Sequence, residues 1–331
     1  MSEAEVGLYA RAHTKLLELQ DALIGRTFTT KDLWDLIGLQ NKPEHSAYKK
    51  ALADLLNNLS NINKDPLLSR DGKAYRFIDK VAPEIKWWNP TEKKLLEIKW
   101  PRGIEDSTSF GFEDSIVIYP GDLIVLAGEG NRGKTTFALN FLVENMDNYP
   151  CTYYSSEFNE LKFRNRISRF NWVDVMKDGR PKFELLPRQE HYEDLISQRR
   201  NNINIIDWIR MDEDPWKIRA VLDRIMSPLD KGIVLVVQQK RTYKTVGEGG
   251  EGAVDLASVY LILSNQRLKV EKVKEPKSYD PNYKNFGFEI ISGGAKFNHI
   301  REVKKCIKCN GTGNFRGLQC EECVGQGWKD S

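Results

Sequence analysis

The stretch DLIVLAGEGNRGKTTFALNFL (residues 122–142) decides the fold. Its first half, Leu123–Ala127, is continuously aliphatic, as a strand buried on both faces must be. Its second half, Thr135 to Glu144, carries apolar residues at helical spacing. Between them Gly128, Glu129, Gly130, Asn131, Arg132, Gly133, Lys134 and Thr135 match G-x-x-x-x-G-K-[ST], and Thr136 follows directly. A glycine-rich turn from a buried strand into a helix aims backbone N–H groups and the positive end of the helix dipole at one point, where phosphate binds. In that geometry Lys134 reaches the terminal phosphates and the Thr135 hydroxyl sits on Mg²⁺. These residues predict a site for ATP with Mg²⁺.

Downstream, short apolar runs alternate with helical patterns: Thr152–Ser155, Leu161–Phe170, Ile203–Asp207, Trp216–Met226 and Ile233–Gln238. That rhythm predicts an α/β domain with a mostly parallel sheet and crossover helices. Val259–Leu263, Leu268–Val273, Phe286–Ile291 and Ala295–Ile300 read as further strands, and Gly247–Gly252 (GEGGEG) as a flexible loop. Three strand ends carry polar groups in a telling order. The second strand runs into Glu157, a carboxylate placed to orient or deprotonate a water. The third ends in Asp207, the usual position for an acid in the shell of Mg²⁺, and the fourth runs into Gln238, Gln239, Lys240 and Arg241.

Residues 95–300 resemble the RecA-like ATPases, and within them the motor domain of DnaB-type replicative helicases. The likeness lies in AGEGNRGKTT, in YYSSE followed by a helix, in INIIDWI and in IVLVVQQKR. It implies that Glu157 is the catalytic base, Asp207 the Walker B acid and Gln238 the γ-phosphate sensor, with Arg241 three residues on. It also makes Gly247–Gly252, with Arg241 and Lys244, a candidate contact for single-stranded DNA. Two features depart from the family. Lys274 is retained near a late strand, but Pro276 stands where the arginine reaching a neighbouring subunit is expected, and the N-terminal helical collar is missing.

Residues 1–80 read instead as a small helical unit ending in a hairpin. Helical spacing recurs in Val6–Leu23, in Leu33–Leu39 behind a capping box at Thr29–Asp32, and in Ser46–Leu59. Asp71 and Gly72 between alternating segments predict the hairpin turn. Three helices and a hairpin look like a winged helix-turn-helix module, which could touch duplex DNA through Lys49, Lys50, Arg70, Lys73 and Arg76. Protein docking is the other use of such a module.

At the C-terminal end, Cys306-Ile-Lys-Cys309-Asn-Gly-Thr-Gly313 and Cys320-Glu-Glu-Cys323-Val-Gly-Gln-Gly327 are two copies of C-x-x-C-x-G-x-G. Two such pairs suit one closed tetrahedral Zn²⁺ site, in preference to a redox dithiol. The repeats resemble the cysteine-rich region of DnaJ co-chaperones. The four histidines show no ligand spacing among themselves.

Of the 331 residues, 40% are hydrophobic and 29% charged, which predicts a globular chain with a sizeable core. No apolar run approaches the ~18–20 residues of a membrane span, and MSEAEVGLYARAH lacks the pattern of a secretory signal, so the expectation is an intracellular protein without a membrane partner. A net charge of +3 neither requires nor excludes nucleic acid. The expected organisation is a winged-helix-like module (1–80), a linker (81–115), a RecA-like core (116–302) and a zinc knuckle (303–331). The expected function is a nucleic-acid-dependent ATPase in DNA replication or recombination, helicase-like, with a homo-oligomer left open and a hexamer put in question by Pro276 and the missing collar. Two alternatives are a recombinase or helicase-loader ATPase, and a DNA-binding regulator that uses ATP as a conformational switch.

Overall fold

A computed structural model describes residues 3–61, 63, 66–78, 87–88, 94–188, 190–209, 217–241, 245–247 and 250–331. The chain divides into two compact units, Met1–Pro90 and Thr91–Ser331.

The first unit contains α1 (Glu3–Glu18), α2 (Gln20–Leu23), β1 (Phe28–Thr29), α3 (Thr30–Ile37), α4 (Ser46–Leu59), β2 (Leu68–Asp71) and β3 (Ala74–Phe77). Thr29 caps α3 as its sequence predicts: its hydroxyl accepts from the Asp32 N–H at 3.2 Å, and the Asp32 carboxylate accepts from the Thr29 N–H at 2.7 Å. The helical stripes bring Leu16, Leu33, Leu52, Leu55 and Leu56 together beneath Leu68, Tyr75 and Phe77. Two details differ from expectation. Asp71 pairs with Ala74, so the turn is Gly72–Lys73, with Gly72 at φ 56° as a two-residue hairpin loop requires. In addition β1 adds a third antiparallel strand, in the order β1-β3-β2. Two residues are too short a run for alternation to reveal.

The second unit opens with a segment whose apolar side chains, Ile98, Trp100, Phe110 and Phe112, lie in the main core. Of the stretch read as a linker, 81–86 and 89–93 fall outside the described residues. There follow α5 (Phe112–Ser115), β4 (Leu123–Gly128), α6 (Lys134–Asn145), β5 (Cys151–Ser155) and α7 (Glu160–Ile167). Next come β6 (Met176–Lys177), β7 (Arg180–Pro181), β8 (Glu184–Leu186), α8 (Tyr192–Ile196), β9 (Ile203–Ile209), α9 (Ile218–Met226) and β10 (Ile233–Gln239). The chain continues through α10 (Glu251–Leu256), β11 (Val259–Ser264), β12 (Arg267–Val273), β13 (Asn285–Ile291) and β14 (Lys296–Lys305). It finishes with β15 (Asn314–Phe315), β16 (Leu318–Gln319) and β17 (Trp328–Asp330).

Ten strands form one sheet. Six are parallel, in the order β8-β5-β9-β10-β4-β11, and β12, β13, β14 and β17 extend it in antiparallel fashion. Alternate residues of each strand face opposite layers. Ile124, Leu126 and Leu235 pack under α6, whereas Val125, Val234 and Val236 pack under α9 and α10. Burial on both faces is why these strands read as unbroken aliphatic runs. The sheet is RecA-like. Its central strand β4 carries the glycine-rich loop and is separated from β9 by β10, so the C-terminal ends of β4, β5, β9 and β10 open onto the same edge. Among the described residues, no helix is long and apolar enough to cross a membrane.

Candidate nucleotide and metal sites

Helix α6 starts at Lys134, directly after Gly133. Gly133 has φ 92°, a backbone conformation that demands glycine, and a Cβ there would also displace the tip of the Ile290 side chain, 2.4 Å away. The loop and helix start line a cavity of about 540 Å³, the size of a small-ligand site. Gly130 to Thr136 form one wall, and Glu157, Asp207, Trp208 and Gln239 the facing one. Gly128 ends β4, and Glu129 turns its carboxylate aside to Arg132 (3.4 Å) and Lys240 (3.5 Å). The Lys134 ammonium donates to the Glu129 carbonyl at 2.6 Å and to the Gln239 amide oxygen at 3.3 Å. Burial lowers the Lys134 pKa, and the negative charges of Asp207, Glu157 and Glu129 oppose that shift.

Asp207 is only 4% exposed. Burial pushes its carboxyl up, against the pull of hydrogen bonds from the Tyr153 phenol, at 2.6 Å, and from the Thr135 side chain. A buried carboxylate beside a threonine hydroxyl fits a divalent cation, whose charge would reverse that upward shift. Glu157 follows β5, and the indole N–H of Trp208 donates to its carboxylate at 2.7 Å. The Asp207–Trp208 peptide is cis.

Gln238 does not enter this cavity. Successive strand residues face opposite sides, so the amide lining the site is Gln239. Gln238 is buried on the other face, where Tyr260 donates to its oxygen at 3.5 Å and its amide nitrogen lacks a partner among the described residues. Arg241 is exposed beyond β10 and does not line the cavity. Within Gly247–Gly252, expected to be a flexible loop, Glu251 and Gly252 open α10, and the buried Gly247 N–H donates to the Tyr260 hydroxyl at 2.9 Å. Trp216, Lys244, Glu248 and Gly249 lie outside the described residues.

Sequence reasoning missed Arg166, on α7, which lines the cavity and donates to the Thr136 hydroxyl at 3.3 Å. Its Nε is buried without a partner among the described residues, and burial lowers its pKa. Nothing in the spacing of α7 separates it from Arg164, which meets Glu160 in solvent at 2.8 Å. Trp208, Gln266 and Ile290 were missed for the same reason.

In the first unit, three of the five basic candidates make internal hydrogen bonds, Arg76 among them, to the Phe77 carbonyl at 3.4 Å. Lys49 donates to Asn41 at 3.0 Å and lies over the Trp34 ring, while Arg70 donates to Asn57 at 2.8 Å. Lys50, Lys73 and Arg76 are exposed.

Cys306, Cys309, Cys320 and Cys323 bring their sulfurs within 4.8 Å of one another. The Cys306–Cys320 and Cys309–Cys323 separations are 3.8 and 3.6 Å. Tetrahedral Zn–S bonds of about 2.3 Å place sulfurs about 3.8 Å apart, so the cluster fits one Zn²⁺. The repeats pack glycine on glycine: a Cβ on Gly313 would stand 2.2 Å from the Gly325 carbonyl, and one on Gly327 would stand 2.4 Å from that of Gly311. Desolvation raises the Cys309 thiol, but hydrogen bonds from Gly313 and the neighbouring cysteines outweigh it and bring it to about 6.

No family model and no curated protein matches the chain. Among solved structures it is similar to a KaiC-like protein of the hyperthermophilic archaeon Pyrococcus horikoshii. The two are 19% identical over 61% of this chain and 99% of the other, with a TM-score of 0.44. The fold assignment rests on the strand order itself.

Proposed function

We propose that this chain is an ATP-hydrolysing motor of the nucleic-acid-dependent, helicase type, acting inside the cell in DNA replication or recombination. One observation carries the reading: a phosphate loop, a buried acid and a carboxylate fixed by an indole converge on one cavity. A pure nucleotide switch has no use for that last carboxylate, which favours a hydrolase.

Lys134 and the loop N–H groups hold the phosphates, with Lys134 exchanging its Glu129 and Gln239 contacts for phosphate oxygens. Thr135 and Asp207 would hold Mg²⁺. Held there, the ion would supply positive charge to offset that developing on the phosphate oxygens. Trp208 fixes one oxygen of Glu157, leaving the other to accept a proton from the attacking water. Gln239, rather than Gln238, is the amide in position to sense the terminal phosphate. Arg166 adds a second guanidinium to that of Arg132.

Single-stranded DNA is the proposed partner of the larger unit. Duplex DNA is the proposed partner of the winged-helix-like first unit, through Lys50, Lys73 and Arg76. The resemblance to DnaB-type motors supports a homo-oligomer, and the four thiolates support one structural Zn²⁺.

The test is the ATPase rate with and without single-stranded oligonucleotide, alongside mass with ATP bound. Lys134→Ala should abolish nucleotide binding, and the wild type should be stimulated by the strand. Unstimulated turnover would discard the motor in favour of the regulator. Stimulation without strand displacement would point to the recombinase or loader.

A further inference from the structure

A second polar cavity, of about 440 Å³, shares the β11–β12 turn residues Asn265 and Gln266 with the nucleotide cavity. Arg267, the first residue of β12, lines it with its guanidinium 3.9 Å from the centre of the Trp328 ring. Among the described residues the Arg267 side chain has no hydrogen bond and no carboxylate within ion-pair distance, and its Nε is buried without a partner. The other cation in the wall, Arg301, is already taken by Asp330 at 2.6 Å. A half-buried guanidinium left unmatched costs free energy that a bound anion would recover. The stack on Trp328 holds its planar fork fixed, and a fixed fork suits bidentate recognition of an oxyanion. The Ser264 hydroxyl and the Asn265 and Gln326 amides line the same cavity and offer neutral donors.

We infer that this cavity is a second phosphate-binding site, distinct from the phosphate loop. Glu289 also lines it, beside Asp330, which is paired with Arg301. An acid there disfavours multiply charged ligands, so the singly charged phosphodiester of a nucleic-acid strand fits better than a free nucleotide. Two consequences follow from where the walls come from. Gln326 lies in the second cysteine repeat and Trp328 directly follows it, so residues held by the repeat build part of the site. Asn265 accepts from Arg132 of the phosphate loop at 3.2 Å, so an occupant beside Arg267 is one residue contact away from the nucleotide.

Fluorescence anisotropy of a labelled oligothymidylate on the full chain tests this, with Arg267→Gln and Arg267→Lys. Arg267→Gln should weaken binding by roughly tenfold or more, the loss of one charge-assisted hydrogen bond, and lower the salt slope by about one. Arg267→Lys, which keeps the charge but loses the fork, should fall between wild type and Arg267→Gln. Affinity for a fluorescent ADP should stay unchanged in both variants, which also reports that they are folded. Pyrophosphate, titrated into Lys134→Ala protein with and without Arg267→Gln, separates the sources. Arg267-dependent pyrophosphate binding without oligonucleotide binding supports the site and assigns it to free phosphates. Affinities for both probes that ignore Arg267 overturn the proposal, whatever the ATPase assay returns.

Discussion

Replacing Tyr153 with phenylalanine removes one oxygen from the interior of the nucleotide site. The ring is fully buried among Phe158 and Phe163, and phenylalanine keeps those contacts. What is lost is the 2.6 Å hydrogen bond to the Asp207 carboxylate, leaving the Thr135 side chain as the remaining donor to it in this structure. A buried hydrogen bond to a charged group is worth about 1.5–3 kcal/mol. In a unit of this size that lowers Tm by about 3–12 °C. The bond favours the ionised carboxyl, so its contribution is fullest above the folded pKa of Asp207 and is lost as pH falls through it. The difference in Tm between wild type and Tyr153→Phe should therefore shrink on acidification. Losing the bond lets a proton compete more strongly with Mg²⁺ for the Asp207 carboxylate, so the acidic limb of the ATPase pH profile should move to higher pH. Calorimetry at several pH values and a pH–rate profile make the two measurements. A Tm difference that is independent of pH, with an unmoved acidic limb, would refute the argument that Tyr153 keeps Asp207 ionised.

Glu157→Gln should bind ATP normally yet hydrolyse it at least ~10²-fold more slowly, as expected when a general base is removed. Normal turnover would remove Glu157 from the mechanism. Trp208→Phe should lower kcat by about tenfold with little change in nucleotide affinity, since it releases the Glu157 carboxylate without touching the phosphate loop. An unchanged kcat would show that the indole does not position the base. Metal analysis of reduced protein should find about one Zn²⁺ per chain, lost in Cys309→Ser, with two ions or none contradicting the four-sulfur site.

What the sequence determined by itself is what short spacing controls. The phosphate loop needs a strand, four variable positions and a helix start, all within residues 122–142. The cysteine repeats, the Thr29–Asp32 cap and the Ser46–Leu59 helix are equally local, because each is closed by contacts within a few turns of chain. Most strand ends were legible to within about one residue, although β9 runs two residues and β14 five residues further than read, and that precision suffices to find a strand. It does not suffice to choose between Gln238 and Gln239, because a shift of one residue moves a side chain to the opposite face. Only the tertiary structure made that choice. It also placed Trp208 against Glu157, brought Arg166 to Thr136, and inserted β10 between β4 and β9. Those pairings join residues dozens of positions apart, and they depend on sheet order and on layers packed from distant segments. The polarity and spacing of nearby residues carry no trace of them.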